Sequence, residues 1–83
     1  MNISALQSAL EANKVTINTI ENLAKNLKVK TAILYDICDP DDPSTLDNFN
    51  LLNNYRSLLR NYKNELKQLA VTNRVIKAAL RRS

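Results

Sequence analysis

The chain has no glycine, no histidine and no tryptophan, and only one cysteine and two prolines in 83 residues. Each scarcity excludes something. Without glycine there is no Walker loop, dinucleotide fingerprint or tight hairpin, all of which need positive φ or a close backbone approach. Without histidine, and with Cys38 alone, there is no zinc ligand set, no serine or cysteine triad and no disulfide within the chain. Cys38 follows Ile37 at an expected helix end and reads as a half-buried filler. A lone cysteine fits a reducing compartment, so a cytoplasmic location is expected. No apolar run reaches the ~20 residues that span a bilayer, and no signal peptide is recognisable, so membrane insertion is not expected. With those chemistries removed, the expectation is a non-enzymatic protein that uses no cofactor.

What is present is charge, unevenly placed. Residues 1–38 carry Lys14, Lys25, Lys28 and Lys30 against Glu11, Glu21 and Asp36, a net +1. Residues 39–47 hold Asp39, Asp41, Asp42 and Asp47, a net −4, and residues 48–83 carry eight Lys or Arg against Glu65, a net +7. A basic C-terminal helix serves phosphate contact, a membrane surface or an acidic partner, or is simply a solvated face.

The apolar spacing predicts an all-α chain, and residues 1–38 read as three short helices. The first covers 2–13, with Ser4 and Gln7 as a capping box and Ile3, Leu6, Ala9 and Leu10 as its stripe. The second is capped by Asn18 with Glu21 and runs to about Leu27, carrying Ile17, Ile20, Leu23, Ala24 and Leu27 on one face. Lys30-Thr31 opens the third, which carries Ile33, Leu34 and Ile37. A bend at Leu27-Lys28-Val29, with Val29 plugging the corner and Ala24 allowing close crossing, makes a helix-turn-helix. On that reading Lys28, Lys30 and Thr31, with Tyr35, face a DNA groove, and Lys14 adds phosphate contact.

Residues 39–44 form a linker, because two prolines among three acids cannot continue a helix. A metal loop from Asp39, Asp41 and Asp42 lacks the glycine and the bidentate Glu it needs. From Ser44, read as a cap with Asp47 at its third position, residues 45–83 form one long helix. Its apolar positions alternate in steps of three and four: Leu52, Tyr55, Leu59, Tyr62, Leu66, Leu69, Asn73, Ile76 and Leu80. That is a heptad in which Asn73 fixes register, and it points to self-association as a homodimer or higher oligomer. Leu51 and Leu58 widen the stripe, which leaves a bundle or a helix folded back on residues 1–38 as the alternative.

Three resemblances follow from these stretches. V-T-I-N-T-I-E-N-L-A-K-N-L-K-V at 15–29 with I-L-Y-D-I at 33–37 resembles the closing helices of Cro/repressor-type (XRE) helix-turn-helix domains. That register implies a repressor fragment whose first two helices are missing, acting by dimerisation or as an antagonist. Residues 20–37, with V-K-T-A-I-L-Y at 29–35, also look like the core of a TetR-like or transposon-accessory helix-turn-helix. This second register implies duplex DNA as partner and Lys28, Lys30, Thr31 and Tyr35 as the contacting residues. D-P-D-D-P-S-T-L-D-N-F at 39–49, followed by a Tyr- and Asn-rich helix, is similar to the turn and second helix of type III secretion needle subunits. Those are small helical hairpins that polymerise. Two functions are therefore expected in competition: a dimeric helix-turn-helix DNA-binding protein, or a helical structural protein that assembles with itself or with another helical protein.

Overall fold

The computed structural model describes residues 2–82, so Met1 and Ser83, the outer ends of the two expected units, lie outside the described residues. The architecture is two long helices folded back on each other. Helix α1 spans Ile3–Ile37 and helix α2 spans Leu46–Arg82, with a single 3-10 turn at Pro43–Thr45 between them. The all-α reading holds, and so do the single break at 39–44 and the long second helix. The three-helix helix-turn-helix unit does not form.

The correction has a clear cause. In α1 the inward positions are Leu6, Leu10, Asn13, Ile17, Ile20, Ala24, Leu27, Thr31, Leu34 and Cys38, all buried or half-buried. Their steps alternate three and four straight through the expected bend at Leu27-Lys28-Val29. No glycine or proline interrupts residues 2–38, so the backbone has no reason to leave the helix there. A bend at Lys28 would also pull Leu34 off the second helix, and Leu34 is one of the best-buried side chains. The capping box at Ser4 is displaced as well. Asn2 is the N-cap, its Oδ1 accepting from Ala5 N at 3.0 Å. Asn18 and Glu21 lie inside the helix. Thr16, Thr19 and Thr31 are tolerated there because each hydroxyl donates to the carbonyl four residues back.

The reversal is built without any left-handed residue: among the described residues no φ is positive. Asp39-Pro-Asp-Asp closes a turn with Asp42 N donating to Asp39 O at 3.1 Å and Pro40 in the second position, where its fixed φ is already correct. Asp39 Oδ1 accepts from Asp41 N at 2.9 Å. Asp42, rather than Ser44, then caps the next segment, accepting from Ser44 N and Oγ at 3.0 and 2.8 Å. Thr45 Oγ1 donates to the Asp39 and Asp42 carbonyls and ties the loop shut. Asp47 sits in the first turn of α2, where negative charge is favoured by the helix dipole.

The result is a rod of 62 × 15 × 13 Å with a radius of gyration of 18.7 Å. A globular chain of this length would have about 12 Å. The core is a thin seam: Ile20, Leu27, Leu34, Leu52 and Ile76 are its buried apolar side chains, with Leu52 only 2% exposed. Near the open end, Asn13 Nδ2 donates to Asn73 Oδ1 at 2.9 Å across the seam. Asn73 thus has a polar partner, and that partner lies in the same chain. We expect Asn73→Leu alone to cost about 1–3 kcal/mol by stranding the Asn13 amide. Asn13→Leu with Asn73→Leu should recover that stability in urea melts while losing register specificity, read as broadened amide NMR signals.

Candidate functional site

The seam divides the rod into two long flanks of unlike chemistry. In an antiparallel pair, positions just before each inward residue on one helix meet the same class on the other. One flank carries Leu23, Ile33 and Ile37 from α1 and Leu51 and Leu58 from α2, all exposed. Ile33, Ile37, Leu51 and Tyr55 line a shallow apolar cleft of about 170 Å³ there, with Lys30 at its edge. Further along the same flank Thr16 and Thr72 meet over Ile20 and Leu69. Val75, 64% exposed, continues it toward the open end. Charge on this flank is sparse and balanced, Lys30 against Glu65.

The opposite flank is basic. Lys28 from α1 and Arg60 and Lys63 from α2 converge on a cleft of about 550 Å³ whose floor is Ala24, Leu59 and Leu66. Ala24 creates this cleft, because a larger side chain at that inward position would fill it. No carboxylate lines it. Lys14 and Lys77 line a second cleft, of about 270 Å³, beside Asn73, with Glu11 in the same lining. Between the first cleft and the turn, the Arg56 guanidinium stands 5.8 Å from the Tyr35 ring centroid, a cation–π contact. The two ends also differ. Asp36, Asp39, Asp41, Asp42 and Asp47 surround the turn, whereas Arg74, Lys77, Arg81 and Arg82 gather at the open end.

The four residues expected at a DNA groove are divided among the basic flank, the apolar flank and the seam. Lys28 lies on the basic flank and Lys30 on the apolar one. Thr31 is half-buried in the seam, its hydroxyl donating to Leu27 O at 2.7 Å. Tyr35, 62% exposed, stands beside Arg56. Lys28 and Tyr35 thus share the basic flank, while Lys30 and Thr31 lie off it. The residues expected to join two copies, Leu52, Tyr55, Leu59, Tyr62, Leu66, Leu69, Asn73, Ile76 and Leu80, are all buried or half-buried along the seam side of α2. Their apolar surface packs against α1 of the same chain. The exposed flank centred on Leu23, Ile33, Leu51 and Leu58 was visible only as a widening of the stripe on α2. Its α1 half is masked in sequence by the assumption of a bend.

Among the described residues no group of His, Cys, Asp and Glu could hold a metal ion, and no helix is long and apolar enough to cross a membrane. No protein-family description, curated protein or solved structure matches the chain.

One titration bears on the turn. Hydrogen bonds from the Ser44 hydroxyl and then the Ser44 N–H hold the Asp42 carboxyl below its ordinary value of 3.8. A depressed folded value stabilises the turn above that pH and loses the contribution as pH falls through it. Thermal melts from neutral to acid pH should therefore show a wild-type advantage over Asp42→Asn that shrinks in acid.

Proposed function

We propose that this chain is a non-enzymatic helical structural protein: a rigid hairpin that assembles with further copies of itself through its apolar flank. The observation that carries this reading is the exposed apolar flank itself. Leu23, Ile33, Ile37, Leu51 and Leu58 lie along one side of a rod whose seam has already taken up both heptad stripes. The chain exposes 6328 Å², whereas a folded monomer of this mass exposes about 5,000 Å². Exposed apolar side chains gathered along one flank mark a contact site, and the balanced charge among them, Lys30 with Glu65, removes the repulsion that a basic chain would otherwise meet. The resemblance of residues 39–49 to type III secretion needle subunits supports the same reading, since a hairpin hinged at that turn is the form those polymerising subunits take.

A second reading is favoured by one observation, the basic flank. Lys14, Lys28, Arg56, Arg60, Lys63 and Lys77 would track the phosphates of duplex DNA without a helix in the groove. This is DNA binding by charge, in place of the helix-turn-helix mode.

Sedimentation of the full chain over a wide concentration range separates the two. Wild type should form dimers or larger species, and Leu23→Glu with Ile33→Glu should shift it to monomer while leaving helicity intact, because both side chains are exposed. A monomer at every concentration would overturn the assembly reading. For the second reading, a duplex-DNA titration should give affinity falling with salt with a log–log slope of roughly −0.9 per phosphate neutralised.

A further inference from the structure

We infer that the basic cleft is a docking site for the acidic turn of a second copy, so that assembly joins two unlike surfaces, turn to cleft. The inference rests on the self-assembly reading and adds a second contact on the other flank. The cleft presents Lys28, Arg60 and Lys63 over an apolar floor of Ala24, Leu59 and Leu66, with no carboxylate in its lining. Three cations held together without a counter-charge repel one another, and an anion entering among them relieves that repulsion.

The turn offers the matching chemistry. Asp39 and Asp42 each use Oδ1 to hold the turn, the Asp41 carboxylate takes no part in the turn's hydrogen bonds, and all three residues are exposed. Leu46, one helical turn beyond Asp42 and 62% exposed, supplies an apolar group for the floor. The turn is pinned by the Thr45 hydroxyl, so little ordering cost accompanies docking. The partner must be another molecule. Lys28 lies nine residues down the straight α1 from Ile37, roughly 13 Å by helical rise, and no hinge lets a turn reach the cleft of its own rod.

The experiment uses two full-length variants, Arg60→Glu with Lys63→Glu in the cleft and Asp41→Lys in the turn. All three positions are exposed, and far-UV circular dichroism checks that each variant keeps its helicity. Each variant alone should self-associate about tenfold more weakly than wild type in sedimentation at low salt, with the gap closing at high salt. Mixing the two should restore binding to near the wild-type value, because the cleft variant keeps a native turn and the turn variant keeps a native cleft. Wild-type assembly retained by both variants would overturn the turn-to-cleft contact and leave the apolar flank as the assembly surface. Duplex-DNA binding lost in the cleft variant with self-association unchanged would overturn it in favour of phosphate. A wild type that stays monomeric would overturn both this contact and the assembly reading beneath it.

Discussion

Everything in this molecule depends on one seam, in which two helices of about 35 residues meet along apolar positions spaced alternately by three and four. A two-helix seam buries little, and Leu52, Ile20, Leu27, Leu34 and Ile76 are the side chains it removes most fully from water. Because burial is thin, register has to be fixed by something more selective than apolar contact. Asn13 and Asn73 do this, since an amide pair is satisfied only when the helices are level with each other. The acidic turn at the other end fixes the same register by its length and by the Thr45 hydroxyl that closes it.

A seam of this kind produces flanks of distinct character. The residues beside it are neither core nor fully free, and in this chain they are largely sorted by chemistry: mainly aliphatic on one flank, where Lys30 and Glu65 are the charges, and mainly cationic on the other, where Glu11 stands beside Lys14 and Lys77. The sorting matters for association. Were Lys28, Lys63 and Lys77 mixed among Leu23, Ile33 and Leu58, two copies could not approach on the apolar side without burying unpaired charge. Kept apart, the apolar flank can be covered while the cations stay in water or meet carboxylates. The acidic turn and the basic open end give the rod a polarity as well, and polar rods pair unlike ends more readily than like ones.

Helix-turn-helix geometry and a long hairpin are easily confused in sequence, and Lys28 shows why. Ile17, Ile20, Ala24 and Leu27 satisfy a short helix as well as a long one, and a lysine after leucine is neutral toward both. What distinguishes them is whether the three-four alternation survives the supposed corner, and through Thr31, Leu34 and Cys38 it does. Thr31 hid the continuity, because a hydroxyl at an inward position reads as a break until its hydrogen bond to the Leu27 carbonyl is seen.

The sequence by itself determined the all-helical class, the single reversal at the prolines, and which nine positions of α2 turn inward. These are local matters of propensity, turn chemistry and period, each readable over a few residues. Only the tertiary structure decided what those inward positions face. The heptad of α2 would serve a second chain as well as its own α1. High effective concentration across the eight-residue connection at 38–45, with matching amides at Asn13 and Asn73, favours the pairing within the chain. That choice also decides which surface is left over. Leu23 and Ile33 become an outward flank, and Lys28, Arg60 and Lys63 become neighbours, because residues far apart in sequence meet only when the second helix returns along the first.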